Sequence, residues 1–257
     1  GAELYGCAAT RGDLEVIDLM LALMARADTE QRHGPITLDV GHVGVYQAVL
    51  RNLGVEGDAA ETIFDALQRK SLPDLDDALI TANADVMSAL RALVNLHGGP
   101  EVLEQARTCL ATIPEALTAL DEVEQVIHAV QSVHPSVSVY VDLAELRGFQ
   151  YHTGLVFAAY LDGIGTAVAT GGRYDNVGAV FGRRRPATGF AFDLKALIAG
   201  AGQRVGGDIM VSAPDSKDVD LLDVVRKLRA TGRSVVTALG GTHDPRCRER
   251  LVKGDEG

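Results

Sequence analysis

The sequence predicts an α+β fold: an antiparallel sheet flanked by helices, an all-helical insertion, and a small C-terminal βαβ unit. Three observations carry this. Residues 57–132 are rich in Ala, Leu, Asp, Glu and Gln with few β-branched runs, whereas from Ser136 the hydrophobic period becomes two. The later strand-like runs follow one another without helical patterns between them, which suits antiparallel neighbours better than alternating βα units. A glycine-rich stretch at 200–207 then precedes one strand–helix–strand pattern. The expected organisation is a core of residues 1–55 and 120–200, a helical insertion at 56–119, and a C-terminal α/β unit at 201–257.

In chain order, Asp13 to Ala27 reads as a helix, with Leu14, Ile17, Leu21 and Met24 at helical spacing and Asp13 as its N-cap. Pro35 to Val40 reads as a strand, Gly41-His42-Val43-Gly44 as a small loop whose favoured reading is a strand-to-helix turn, and Val43 to Leu53 as a helix stopped by Gly54. Pro73, Gly98-Gly99-Pro100 and Pro114 divide the insertion into several helices, and Asp58-Ala59-Ala60-Glu61 fits a capping box. Val137, Val139 and Val141 alternate with Ser138, Tyr140 and Asp142. Leu155–Leu161, Ala167–Thr170 and Ala187–Phe192 continue as strands, with turns at Asp162-Gly163 and Gly171-Gly172. Asp193 to Ala199 reads as a helix. In the C-terminal unit, residues 208–211 and 234–239 read as strands around a helix from Lys217 to Thr231 that stops at Gly232. The tail from Gly240 is polar and is expected to fray.

Of the 257 residues, 47% are hydrophobic and 23% charged, an ordinary globular balance. The net charge of −11 and pI near 5.0 make nucleic acid an unfavoured partner; Arg183-Arg184-Arg185 is the one dense basic run. Cys7, Cys109 and Cys247 are widely spaced and odd in number, so neither a zinc site nor a disulfide framework follows, and reduced thiols of a cytoplasmic protein are the plain reading. No apolar run reaches the ~20 residues of a membrane span, and no signal peptide is visible. The chain starts at Gly1 inside ordered-looking sequence and reads as a piece of something longer.

The residues suited to chemistry cluster in two segments. Arg147 offers a planar fork of donors for a carboxylate or phosphate. Tyr151 and His152 follow it; by alternation one faces each side of a strand. Gly171-Gly172-Arg173-Tyr174-Asp175 joins a tight turn to an Arg and an Asp, and paired glycines let a backbone approach a ligand. Glu3 is a carboxylate placed to hold an ammonium group. Each has an ordinary structural alternative: a surface arginine, a packed histidine, a hairpin turn, an edge charge. No nucleophile is paired with His152 in sequence, and no phosphate-binding glycine motif with a following lysine occurs.

Taken in order, these segments resemble the core of histidyl-tRNA synthetases, a class II aminoacyl-tRNA synthetase family. Arg147 to His152 is similar to that family's Arg-Gly-Leu-Asp-Tyr-Tyr segment, and Thr170 to Asp175 to its Ala-Gly-Gly-Arg-Tyr-Asp segment. Gly1-Ala2-Glu3-Leu4-Tyr5-Gly6 resembles the strand after motif 2, and Pro186-Ala187-Thr188-Gly189-Phe190 the start of motif 3. The resemblance covers about residues 1–55 and 120–200. It implies a histidine pocket of Glu3 (for the ammonium group), Arg147 (for the carboxylate), Tyr151, His152, Gly171 and Gly172.

Departures from the family pattern bear on function. Motif 3 continues Gly-Leu-Glu-Arg, its arginine clamping the ATP phosphates; here the register reads Asp193-Leu194-Lys195-Ala196. An alanine for that guanidinium, with an added carboxylate, removes cationic stabilisation that adenylation needs. Gln150 and His152 replace an aspartate and a tyrosine, and 57 residues follow position 200. This pattern, with Phe149 to Phe157 and Asp244 to Val252, is similar to the regulatory subunits of ATP phosphoribosyltransferase. That resemblance implies a non-catalytic chain without a cofactor, binding histidine as a regulatory ligand. It also implies a homodimer of this chain in a hetero-octamer with short-form catalytic subunits, and feedback inhibition of histidine biosynthesis. A histidyl-tRNA synthetase, or another synthetase-like paralogue, remains the alternative.

Overall fold

The computed structural model describes residues 1–27, 35–55, 57–79, 84–145, 151–200, 210–214, 218–239 and 244–252. Contacts divide the chain into two units, Gly1–Ala201 and Gly202–Gly257.

In the first unit the period-two segments become strands of one sheet. In chain order these are β1 (Ala2–Tyr5), β2 (Thr37–His42), β3 (His97–Gly98), β4 (Ser138–Asp142), β5 (Leu155–Tyr160), β6 (Ala169–Arg173) and β7 (Ala187–Phe192). They form a seven-stranded sheet in the order β1-β7-β6-β5-β2-β4-β3. It is mixed rather than purely antiparallel, because β2 and β4 run parallel, with Thr37 opposite Ser138. The connection between them contains the helical segment, and a parallel pair needs such a crossover. That segment is not all helix: β3 pairs antiparallel with β4.

Helices α1 (Arg11–Ala27), α2 (Val43–Leu53), α3 (Asp58–Gln68), α4 (Leu72–Ala78), α5 (Ala84–Asn95), α6 (Val102–Cys109), α7 (Pro114–Val133) and α8 (Leu194–Gly200) complete this unit. α1 turns Val16, Ile17, Met20, Leu21 and Met24 inward, and α7 turns Leu120, Val123 and Ile127 inward; both stripes join Leu38, Val40 and Phe157 in one core. Burying each such side chain contributes roughly 1.5–3 kcal/mol. Tyr46 on α2 is fully buried and donates its hydroxyl to the Ala60 carbonyl, 2.9 Å away, tying α2 to α3.

Several expected details differ. Asp13 is no cap: α1 begins at Arg11, and the Asp13 carboxylate turns inward to Arg173. The strand-to-helix turn expected at 41–44 is there, with no loop between the two elements. β2 runs through Gly41 and His42, and α2 begins at Val43 with the His42 ring as its cap, Nδ1 accepting from Gly44 N–H at 3.0 Å. The capping box at Asp58 is not made either; Gly57 precedes α3 without a side-chain cap bond. Gly54 does end α2, in the left-handed conformation at φ 64°.

In the second unit, β8 (Met210–Pro214), α9 (Val219–Ala230) and β9 (Val235–Ala238) form a βαβ unit with parallel strands. Asp218 caps α9, and Gly232 at φ 85° follows its end. Val211, Ala213, Val225 and Val235 make a separate small core. The tail expected to fray instead supplies β10 (Cys247–Arg250), parallel to β8, giving the order β10-β8-β9.

Candidate functional site

The centre of the first unit's sheet has one face under helices and one face paved with small residues. One cross-strand row reads Gly41, Val156, Gly172, Gly189, Glu3 across β2, β5, β6, β7 and β1. The next row on that face reads Ala158, Thr170, Ala191. With so little side chain above the strands, a cavity of about 310 Å³ opens there. Glu3, Tyr151, His152, Gly171, Gly172 and Tyr174 line it, with Glu145, Gly189, Ala158, Thr170 and Ala191.

Gly171 and Gly172 are therefore not a turn. They stand in mid-strand, hydrogen-bonded to β5 on one side and β7 on the other. A methyl at Gly172 would lie 2.7 Å from both the His152 ring and the Leu155 carbonyl. One at Gly189 would lie 2.8 Å from Glu3 Cγ and from the Ala2 carbonyl. The glycines permit close packing and keep the cavity floor open.

Tyr151 and His152 also depart from expectation. They precede β5, so strand alternation does not separate them, and both line the cavity. Their segment is tied down by Thr153: its N–H donates to the Arg173 carbonyl at 2.8 Å, and its hydroxyl accepts from Asp175 N–H at 3.0 Å. The Tyr151 ring stacks on Tyr174 at 4.9 Å and meets the His152 ring edge-on at 5.3 Å. Arg147 and Gln150 lie outside the described residues.

Glu3 is the electrostatic centre of the wall. The Tyr5 hydroxyl donates to its carboxylate, and that bond holds the Tyr5 phenol above its ordinary pKa. Burial, then the charge of Glu3, raises Tyr174 and Tyr151 likewise. The phenols stay neutral donors at physiological pH. Among the described residues, those lining the cavity include two carboxylates and neither lysine nor arginine. The wall favours a ligand that brings positive charge or N–H donors.

Arg173 takes no part in the cavity. Alternation puts it on the helix-covered face with Gly171. There it is 5% exposed and donates to Asp13 at 2.7 and 3.1 Å, to the Cys7 and Ala9 carbonyls, and to Asp175. It is a strut between β6 and the start of α1. At the far end of β7, Asp193 accepts from the N–H groups of Lys195 and Ala196 at 2.9 and 3.0 Å, capping α8. A shallower hollow lined by Thr170, Ala191, Asp193 and Lys195 adjoins there.

Tyr5, Tyr174 and Glu145 were not expected at the site. Tyr5 and Tyr174 carry a usable signal, each two positions from a residue that was expected, and so on the same strand face. Glu145 enters through a turn and carries none. Among the described residues, no group of acidic, histidine or cysteine side chains is arranged to hold a metal, and no helix is long and apolar enough to cross a membrane.

The comparisons with known proteins agree with this architecture. A family model described as histidyl-tRNA synthetase matches residues 1–197, and one described as the ATP phosphoribosyltransferase subunit HisZ C-terminal domain matches residues 208–257. The ATP phosphoribosyltransferase regulatory subunit of Ectopseudomonas mendocina is 43% identical over 251 residues, covering 97% of this chain and 62% of that one. The chain thus spans about 62% of the length of such curated relatives. An ATP phosphoribosyltransferase regulatory subunit/histidyl-tRNA synthetase from Bacillus halodurans superposes with a TM-score of 0.75 at 27% identity, covering 97% of this chain and 66% of that one. A chain of the ATP phosphoribosyl transferase (HisG:HisZ) complex from Thermotoga maritima shares the fold, with a TM-score of 0.58 at 22% identity, covering 74% of this chain and 64% of that one. A glycine-floored cavity on a seven-stranded mixed sheet, followed by a small parallel α/β unit that has its own family model, leads to one assignment: this chain belongs to the histidyl-tRNA synthetase family, on the branch of the ATP phosphoribosyltransferase regulatory subunits.

Proposed function

We propose that this chain is part of a non-catalytic regulatory subunit of ATP phosphoribosyltransferase that binds histidine and acts in histidine biosynthesis. The observation that carries the reading is the pairing of an intact cavity with an altered nucleotide end. Glu3, Gly172, Gly189 and the tyrosines Tyr151 and Tyr174 surround a cavity of about 310 Å³, which in this reading receives the amino acid. In contrast, Asp193 caps α8 with its carboxylate, and Ala196 stands where the synthetase pattern has a phosphate-clamping arginine. In this reading Glu3 takes the ammonium group, Arg147 the carboxylate, and Tyr151, His152 and the Gly171-Gly172 backbone surround the ring. No cofactor is required.

The partner in this reading is the short-form catalytic subunit, met by a homodimer of this chain within a cytoplasmic hetero-octamer. Histidine regulates by binding one quaternary state more tightly than another; a coupling of about 1–3 kcal/mol suffices. Calorimetry with histidine on the full-length protein, alone and with its catalytic subunit, tests the reading. Saturable one-site binding is expected, and absence of binding in both cases would sink it. Histidyl-tRNA synthetase activity is the second reading, favoured by the match at residues 1–197. ATP–pyrophosphate exchange separates the two, with no exchange above background expected.

A further inference from the structure

The dense basic run of this acidic chain is not among the residues lining the cavity. Arg183, Arg184 and Arg185 lie in the connection from β6 to β7, after a 3₁₀ turn at Val177–Phe181, and all three are exposed. The connection is pinned along its length. Ala179 N–H donates to the Asn176 carbonyl at 2.9 Å, Gly182 N–H to that of Ala179 at 3.0 Å, and Arg183 N–H to that of Gly178 at 3.1 Å. Gly182 takes the left-handed conformation at φ 88°, and a methyl on Gly178 would collide with the Arg183 carbonyl. Beyond the run, the Pro186 carbonyl accepts from Gly6 N–H at 2.7 Å, and Ala187 N–H donates to the Asp175 carboxylate at 3.1 Å.

The arginine side chains do little for the fold on this fixed backbone. Arg185 stands over the Tyr5 ring, 5.8 Å from its centroid. Arg183 and Arg184 make no hydrogen bond or ion pair among the described residues, whereas Arg69, Arg91, Arg107 and Arg173 each reach a carboxylate. Like charges on three successive residues repel one another, so the run works against the isolated fold. Apolar groups next to it are equally uncovered: Val180, in the 3₁₀ turn, is 86% exposed, and Tyr5, under Arg185, is 51% exposed. Arginine and tyrosine held on a rigid backbone are the residue types that carry binding energy at protein interfaces.

We infer that the Arg183–Arg185 loop, with Val180 and Tyr5, is a docking surface for a protein partner that presents clustered carboxylates. The inference rests on the regulatory-subunit reading, in which that partner is the catalytic subunit, and it names the surface that meets it. Charge favours a protein over a nucleic acid. Holding a phosphate backbone takes about six to ten cations, and this chain, of net charge −11, gathers three. A carboxylate cluster needs fewer, because each guanidinium can grip one carboxylate through two parallel N–H···O bonds. The acidic remainder of the chain repels such a partner elsewhere, so the loop also fixes its orientation.

The test is assembly of the full-length protein with its catalytic subunit, followed by sedimentation and by calorimetry at low and at physiological salt. It compares the parent with the double variant Arg183→Glu/Arg184→Glu. The expected result is assembly weakened by about a hundredfold or more, the scale of two hot-spot arginines, with a smaller salt dependence than the parent's and an unchanged Tm. Equal assembly of parent and variant overturns the inference and leaves the regulatory-subunit reading standing. A lowered Tm would mean that another part of the same chain covers the run, and loss of self-association without the catalytic subunit would mean that a second copy does; either overturns it. RNA bound by the parent and lost by the variant overturns it too. A parent that does not assemble with the catalytic subunit sinks the regulatory-subunit reading itself, and the inference with it.

Discussion

Arg173 distinguishes a residue that belongs to the pocket motif from one that belongs to the pocket. Replacement by leucine removes a guanidinium that is bonded to Asp13, Asp175 and two main-chain carbonyls. Asp13 is then left at 0% exposure without that cation, and must either hold an unpaired charge or take up a proton. Breaking a buried pair in this one-sided way costs about 3–5 kcal/mol. For a unit the size of Gly1–Ala201, each kcal/mol moves Tm by about 2–4 °C, so Arg173→Leu is expected to lower it by about 6–20 °C. Adding Asp13→Asn removes the stranded charge and is expected to recover part of the loss, because the cost lies in desolvation of an unpaired ion. Scanning calorimetry on the parent, the single variant and the double variant measures this. Histidine titration well below the transition should then find the remaining folded protein close to parental affinity. An unchanged Tm together with abolished histidine binding would refute the strut and return Arg173 to the ligand.

Three further outcomes are expected. Tyr5→Phe removes the hydroxyl that donates to Glu3 and should lower histidine affinity several-fold in calorimetry without moving Tm, since Tyr5 is half exposed. Asp193→Ala deletes the side-chain cap of α8 and should cost about 1 kcal/mol in urea denaturation without conferring or removing ATP–pyrophosphate exchange. Glu122 is held below its ordinary value of 4.5 by the hydrogen bond from His42, against the opposing effect of burial. A depressed carboxyl stabilises fully above its unfolded pKa and progressively less as pH falls through its folded one. The stability gap between the parent and Glu122→Gln should therefore be constant near neutrality and close below pH 4.5, which a urea series at several pH values would read.

The core strands were legible because their apolar residues sit at period two and β5 to β7 follow one another closely. The parallel β2–β4 pair was not, since a pairing across some hundred residues leaves no local pattern; β4 alternates just as an antiparallel strand would. Gly171-Gly172 misled in the same way. Two glycines between apolar runs look like a hairpin turn, and only pairing on both sides places them in mid-strand. His42 was placed at the strand-to-helix turn, but its work there was not legible: Nδ1 caps α2 and Nε2 lies 3.1 Å from Glu122 on α7. Of the site, Glu3, Tyr151, His152, Gly171 and Gly172 meet at one cavity because the motif carried them as a set. Glu145 did not stand out, since what places it is a turn built on Asp142, which is pinned by Lys70, distant in sequence.

Glycine in mid-strand is unfavourable by roughly 0.5–1 kcal/mol relative to alanine, so Gly41, Gly171, Gly172 and Gly189 need a physical reason. At Gly171 the reason lies on the helix-covered face: the Phe157 ring fills the space a methyl would take, and burying that ring contributes roughly 1.5–3 kcal/mol, enough to offset the glycine beneath it. At Gly172 and Gly189 no such core side chain presses in. The neighbours there are His152, Glu3 and Tyr174, the groups that line the cavity, together with main-chain oxygens. Alanine at either position would push those groups off the floor. The four glycines thus answer to different demands: core packing at Gly171, an open, polar-rimmed floor at Gly172 and Gly189, and close approach of the Asp142 carbonyl at Gly41, 2.7 Å from where a methyl would stand. α8 lies beyond the last residue of β7, and neither it nor Asp193 is among the residues lining the cavity, so the floor does not depend on what stands at Asp193 and Ala196.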